Sequence, residues 1–317
     1  MKRLLFFVIC STLYALTTQA QLKRIIFTPQ WAAQSQFTGY YVAKEKGFFK
    51  EYGLDVIIHH NKVESKKAPV DVLCNNEAQV VTAQFLQMLK AQDQGIKVVN
   101  ILQTSQNNSL MCVSPHKISS FKELNGKKIG TWINGFREVA ELACKENKMK
   151  VKWIPITNCV NLFVNKAVDA TLCFSYSEYL RLVMIRGDIP KENLIYFSDL
   201  GYNIPEDGVY TTEEYYNSHK SEMKQFANAV KKGWDYARKH KQEALEITQK
   251  YVKKQNIAIS QLQLRLMLDE VLRLQEDADT KEVTYAPISP KVFNTVVSKM
   301  RNLGIIKNPI QYNSMFK

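Results

Sequence analysis

Aromatic and polar residues suited to holding a small molecule recur where strands hand over to helices. Trp31, Phe37 and Tyr40 flank a polar loop, residues 30–36, that offers a helix start at Ser35. Their ring faces suit stacking on a flat ring, and the free backbone N–H groups of an outward-facing helix start favour negative or polar ligand atoms. Trp132 ends a strand and is followed by Asn134 and Gly135 in a tight loop before a helix, where backbone N–H groups can take an oxygen atom. Tyr176 and Glu178 follow a further strand, and Gln84 stands where a strand opens into a helix, as a cleft residue or a simple cap. Glu178 reads two ways, as a carboxylate that accepts ligand N–H groups or as a surface acid paired with Arg181 or Arg186. Trp132 reads as core before it reads as a ligand platform, large aromatics being mostly buried. Catalysis is not expected, because no Ser/His/Asp order, metal-ligand spacing or carboxylate pair stands out. His59 and His60, with Lys62, follow a strand and are expected in a surface loop. Gly130 and Gly135 have P-loop spacing, but no Lys-Ser/Thr follows, which excludes that motif.

The elements that must position these residues alternate strand and helix. Arg24–Phe27 is a β-branched and aromatic run closed by Pro29. A helix then carries Phe37, Tyr40, Tyr41 and Lys44 and ends at Gly47, and Gly53 turns the chain into the strand 54–58. Strands are expected at 79–83, 97–102, 109–114, 127–132, 151–154, 170–174 and 194–197, with helices at 66–76, 85–93, 136–147, 158–165 and 177–186 between them. Ser120 to Leu124 carries a capping box. That alternation predicts an α/β protein with mainly parallel sheets. From Thr212 onward the chain is helical, with one apolar stripe at Met223, Phe226, Ala227, Val230 and Trp234 and another at Leu264, Met267, Leu268 and Val271.

The stretch GYYVAKEKGFFKEYGLDV, residues 39–56, resembles the opening of type II periplasmic substrate-binding proteins of ABC importers. It is most similar to the branch holding the thiamine-pyrimidine precursor binders and the alkylsulfonate and nitrate binders. Further matches are GKKIGTW at 126–132, VNLFV at 160–164 with VDA at 168–170, YSEY at 176–179 and PEDGVY at 205–210. Two positions depart from the branch, which usually has Trp where Ser175 stands and Asn where Ser177 stands. The resemblance implies two α/β lobes with a ligand cleft between them, the first lobe from 21–114, the second from 115–205, and a return to the first over 206–317 with its helical tail. It implies a small-molecule ligand, with an aminopyrimidine as the leading expectation. Trp31, Tyr40, Trp132 and Tyr176 would stack on it and Glu178 would accept its amino N–H groups. It implies permease and ATPase subunits as partners, a monomeric receptor and no cofactor. An alkylsulfonate, nitrate or riboflavin-type solute is the alternative within that class, and a ligand-presenting sensor component lies outside it. The related pyrimidine synthase carries a cysteine-rich motif that this sequence lacks.

Residues 1–20 read as a secretory signal peptide, with Lys2 and Arg3 ahead of an apolar run short for a membrane span and small residues near Ala20. Cys10 follows Ile9, a poor lipoprotein signal, so a periplasmic protein without a lipid is expected. The formal charge of +13 falls to +11 once Lys2 and Arg3 are removed. The remaining charges are scattered and no zinc, helix-turn-helix or RNA-binding signature accompanies them, so nucleic acid is not an expected partner. The cysteines after residue 20 (Cys74, Cys112, Cys144, Cys159 and Cys173) are odd in number and form no C-x-x-C pair, which suits small buried hydrophobes.

Overall fold

The computed structural model describes residues 21–61, 67–133, 135–156 and 160–317. The signal-peptide reading, Lys62, Asn134 and Cys159 lie outside the described residues. Two five-stranded sheets organise the rest. One contains β1 (Lys23–Thr28), β2 (Leu54–Ile58), β3 (Val80–Gln84), β4 (Val98–Gln103) and β10 (Asp207–Thr212), and the other contains β5 (Leu110–Val113), β6 (Lys128–Trp132), β7 (Lys152–Ile156), β8 (Ala170–Phe174) and β9 (Leu194–Tyr196). Their spatial orders are β2-β1-β3-β10-β4 and β7-β6-β8-β5-β9. In the first sheet Ile25 of β1 lies beside Val56 of β2, and both are fully buried, as the apolar runs require.

Both sheets are mixed, where mainly parallel sheets are expected from the alternation. β10 runs antiparallel to β3 and β4, and β5 runs antiparallel to β8 and β9. The cause is the crossing of the chain between lobes. β5 and β10 are the first strands after each crossing, so each enters its sheet from the edge where β3 and β8 end. The first crossing therefore lies between Gln103 and Leu110, ahead of the expected boundary after residue 114, because β5 already pairs within the second sheet. The return lies between Tyr196 and Asp207, a span that includes the expected 205/206 boundary.

The longer helices flank these sheets: α1 (Thr38–Glu45), α2 (Phe85–Asp93), α3 (Glu138–Glu146), α4 (Glu178–Arg186), α5 (Lys220–Lys239), α6 (Lys241–Lys254), α7 (Gln261–Leu274) and α8 (Pro290–Asn302). A 3-10 turn at Ser35–Phe37 precedes α1, and Gly47 follows it in the left-handed region at φ 76°, where a side chain would be strained. The apolar stripe of α5 is buried as its spacing predicts, including Trp234 at 1 % exposure, and packs on α1. Met267 and Leu268 of α7 are buried as well. The helical tail thus closes over the first lobe rather than forming a domain of its own.

Candidate functional site

The start of α1 does not open outward. The Ala33 amide donates to Gln255 Oε1 at 2.7 Å and the Ser35 hydroxyl to the Leu264 carbonyl at 2.7 Å, so the C-terminal helices cover it. Thr38 Oγ1 and Thr248 Oγ1 share a further bond of 2.7 Å, which pins α1 to α6. The helix start is therefore buried under the C-terminal helices, with the Ala33 amide taken by Gln255. The polar loop before it acts differently, by turning Gln30, Trp31, Gln34 and Gln36 towards the second lobe, where they line one wall of an interlobe cavity.

The opposite wall comes from the C-terminal ends of β6 and β8. Phe174 is stacked on one side by Trp132, with centroids 4.8 Å apart, and on the other by Tyr176 at 5.4 Å. Phe136 meets Phe174 edge-on at 6.2 Å, and Trp31 reaches across from the first lobe to meet Phe136 edge-on at 5.7 Å. Phe136 takes φ 66° and Gly135 φ 105°; the left-handed turn is costly for a bulky residue and presents the Phe136 ring to the cavity. These rings enclose about 290 Å³ of space between atoms, mouth included.

The polar groups on the wall are mostly acceptors. Glu178, the first residue of α4, is 7 % exposed; its Oε1 accepts from Trp132 Nε1 at 3.2 Å and its Oε2 from the Phe174 amide at 3.2 Å. Burial pushes its carboxyl above the usual range, against the amide and indole bonds that favour the anion. Glu178 is thus a buried carboxyl in the cavity wall rather than an exposed surface acid. Gln30 donates through Nε2 to Asp207 Oδ1 at 2.8 Å, which leaves its buried Oε1 without a partner. Gln36 donates to Asp207 Oδ2 at 2.6 Å and accepts from Gln34 at 2.7 Å. None of the described lining residues is Lys, Arg or His.

Of the residues singled out from sequence, Trp31, Trp132, Tyr176 and Glu178 are brought together on this cavity. Phe37 and Tyr40 are not on its wall: both are 1 % exposed in the first lobe's core, where Tyr40 stacks on Phe27 at 4.8 Å and Phe37 packs on His60 at 5.6 Å. Gln84 ends β3 beside Asp207 and is buried, but it does not line the cavity and makes no cap bond with its side chain. Gly135 lies against α2 instead, where an added Cβ would sit 2.9 Å from Gln87 Nε2. Asn134 lies outside the described residues. His60 departs from the surface-loop expectation, although His59 is exposed. Its Nδ1 faces the Trp31 carbonyl at 2.7 Å, so Nδ1 carries the hydrogen and Nε2 accepts from the Tyr41 hydroxyl at 2.8 Å. Burial pushes its pKa down to about 4, and the neutral ring holds the Trp31 backbone in place.

Sequence reasoning missed Gln30, Gln34, Gln36, Phe136, Phe174 and Ser177. The signal was present in part: three glutamines within seven residues after a strand, and a phenylalanine at the end of each of two segments that lead into helices.

The lobes touch at several points around the cavity. Ser175 Oγ donates to Glu270 Oε1 at 2.6 Å, Lys90 of α2 pairs with Glu141 of α3 at 3.1 Å, and Lys299 of α8 pairs with Glu146 at 2.9 Å. At the crossing itself, Glu206 ties the two connecting segments together. Its Oε1 accepts from the Ser109 hydroxyl at 2.7 Å and its Oε2 from the Ser109 amide at 3.0 Å. The Asn108 amide donates to Asn203 Oδ1 at 2.8 Å beside it. Burial first, and the neighbouring Asp207 second, push the Glu206 carboxyl up to about 8. A folded pKa above the ordinary carboxyl value means that the folded chain holds more protons, so stability is fully present below the ordinary value and is lost as pH rises towards 8. Thermal melts across that window are expected to show the wild type losing stability as pH rises, and Glu206→Gln losing much less; equal slopes for the two proteins would refute the assignment.

Known proteins bear on this geometry. A model of the family described as NMT1/THI5 like matches residues 34–244. The chain belongs to that family. It is 21% identical over 309 residues to the riboflavin-binding protein RibY of Chloroflexus aurantiacus, a match covering 94% of this chain and 86% of that one. It superposes on the periplasmic aliphatic sulphonate binding protein SsuA of Escherichia coli with a TM-score of 0.66 at 11% identity, covering 92% of this chain and 96% of that one. For the periplasmic nitrate-binding protein NrtA of Synechocystis the TM-score is 0.61 at 11% identity, with 94% and 86% covered. The fold of this family member is that of the type II periplasmic binding proteins, the solute-binding proteins of ABC importers, in two lobes. Among the described residues no helix is long and apolar enough to cross a membrane, and no group of three or more His, Cys, Asp or Glu is disposed to hold a metal ion.

Proposed function

We propose that the protein is the exported receptor of an ABC importer and that its lobes close by hinge motion on a small, flat, N–H-donating heterocycle, with a thiamine-type aminopyrimidine as the leading ligand. The observation that carries this reading is the pairing of an aromatic box with polar atoms that accept, Glu178 and the unpartnered Gln30 Oε1, in a wall without a described cation. A ring amino group donates to such atoms while its faces stack on the rings around it. Sulfonate and nitrate are disfavoured by the same wall. A buried anion needs donors or cations, and here it would meet a carboxyl whose pKa burial has already raised. Riboflavin offers an imide N–H and hydroxyl donors, and a relative is named for binding it, so it is the second ligand to test at this wall. The protein acts as a receptor rather than as an enzyme in this reading, with permease and ATPase subunits taking up the closed form. Calorimetric titration with a 4-aminopyrimidine, an alkylsulfonate, nitrate and riboflavin tests it. Saturable heat is expected with the aminopyrimidine and none with either anion. Heat with the sulfonate or nitrate alone removes the reading, and heat with riboflavin alone replaces the ligand while keeping the receptor.

A further inference from the structure

We propose that the end of the second lobe farthest from the cleft is a membrane-contact surface, which holds the protein electrostatically on a bilayer of anionic phospholipid. Attachment there leaves the cleft free, so this surface stands or falls apart from any ligand.

Lysines that lie scattered along the chain are gathered by the second sheet. The C-terminal ends of β6 and β8 form the cleft wall, and β6 runs parallel to β7 and β8, so the N-terminal ends of all three strands share the opposite end of the lobe. Lys127 and Lys128 enter β6 there, Lys148, Lys150 and Lys152 enter β7, and Lys166 lies ahead of β8; all six are exposed. Backbone bonds set them side by side. The Lys152 amide donates to the Lys127 carbonyl at 2.8 Å, the Gly126 amide donates to the Lys150 carbonyl at 2.6 Å, and Lys128 stands opposite Lys152 in the ladder. The antiparallel strands add to the same end. Val113, the last residue of β5, pairs with Thr171 near the start of β8 and with Leu194 at the start of β9, which brings the exposed Lys117 and Lys191 to this end.

Positive charge is in excess there. Among the described residues none of these lysines forms an ion pair, whereas first-lobe lysines such as Lys44, Lys46 and Lys241 do. The carboxylates close by are engaged with backbone: Asp169 accepts from the Lys128 amide at 2.7 Å, and Glu123 from the Ser119 and Ser120 amides, both at 3.0 Å. A second feature lies beside the lysines. Helix α4 starts at the cleft with Glu178 and runs away from it, so its last turn carries Met184 and Ile185, 41 % and 53 % exposed, towards the same end. The Arg186 guanidinium sits over the Phe163 ring, 5.8 Å from its centroid, three residues before Lys166. Exposed apolar tips beside a lysine field match a bilayer interface, where the tips enter the headgroup layer and the ammonium groups meet its phosphates. Protein interfaces are depleted in lysine, and flexible point charges suit a fluid headgroup layer better than one fixed phosphate geometry.

The test is flotation of the protein, purified after export, with vesicles of phosphatidylcholine alone or mixed with phosphatidylglycerol. Binding is expected only to the mixed vesicles at low salt, with loss at high salt. The combined variant Lys127→Gln, Lys128→Gln, Lys148→Gln, Lys150→Gln and Lys152→Gln is expected to bind at least about thirtyfold more weakly, because each basic side chain near an anionic surface strengthens attachment severalfold. Glutamine at five exposed lysines of the first lobe (Lys220, Lys224, Lys239, Lys253 and Lys254) removes the same charge and is expected to change binding by less than about threefold. Absence of binding to the mixed vesicles overturns the proposal, whatever the variants do. Equal binding to both vesicle types overturns it, as do equal losses in the two variants, which would make net charge the cause. Retention on heparin without vesicle binding overturns it in favour of a soluble polyanion. None of these outcomes bears on aminopyrimidine binding.

Discussion

Gly233→Ala is expected to destabilise the protein by about 3 kcal/mol or more, lowering the melting temperature by roughly 5–10 °C. The residue lies inside α5, where alanine is intrinsically the better helix former by about 1 kcal/mol. Propensity loses here to steric contact. A Cβ on Gly233 would sit 2.1 Å from the Gly39 carbonyl oxygen and 2.9 Å from Ala43 Cβ, both on α1. Gly39 makes the reciprocal demand, its Cβ position lying 2.2 Å from Trp234 Cδ2. The two helices therefore cross backbone to backbone, and neither clash falls on the free end of a flexible chain. Room for the methyl group requires the helices to part by roughly 1 Å, which breaks the close packing of Tyr40 and Trp234 beneath them. Differential scanning calorimetry of the variant reads the cost directly. A melting temperature at or above that of the wild type would mean that the crossing is looser than described.

Much of this arrangement is legible in the sequence because it depends on local chemistry. Strand runs such as Ala170–Phe174 and helices such as Phe85–Asp93 follow from β-branched runs, amphipathic spacing and the glycine that ends α1. The strand direction of β5 and β10 is not local. It depends on where the chain crosses between lobes, and nothing in Leu110–Val113 marks that segment as belonging to the second sheet rather than the first. The site divides in the same way. Trp132 and Glu178 stand at strand-to-helix transitions, and the ends of parallel strands face the cleft in such folds. Tyr40 has the same residue type beside the same kind of loop, yet it points into the core, because a helical residue's direction is set by its position around the axis and by what α5 presents to it. The glutamines of the 30–36 loop were hidden for the opposite reason. An amide becomes a recognition group only when its other end is fixed, and the residue that fixes Gln30 and Gln36, Asp207, lies far away in the chain.

Glu178→Gln is expected to weaken aminopyrimidine binding by about 2–3 kcal/mol, roughly 30- to 150-fold, with little change in the aromatic box. The carboxyl already has one bond to each oxygen, from the Trp132 indole and from the Phe174 amide. Both partners are donors, so a glutamine satisfies only one of them with its oxygen and turns an N–H₂ group on the other. The ligand then loses a charged acceptor and faces a neutral amide held in the wrong orientation. Trp132→Phe separates the two contributions, since it keeps the ring stacked near Phe174 but frees the carboxyl from its indole donor. Its loss of affinity is expected to be the smaller of the two. The raised carboxyl pKa adds a signature that packing alone would not produce. Wild-type affinity should fall as pH drops through that raised value, because protonation turns the acceptor into a donor, and Glu178→Gln should show no such dependence on Glu178. A variant that binds the aminopyrimidine as tightly as the wild type, with the same pH profile, would place the ligand's amino group somewhere else in the cleft.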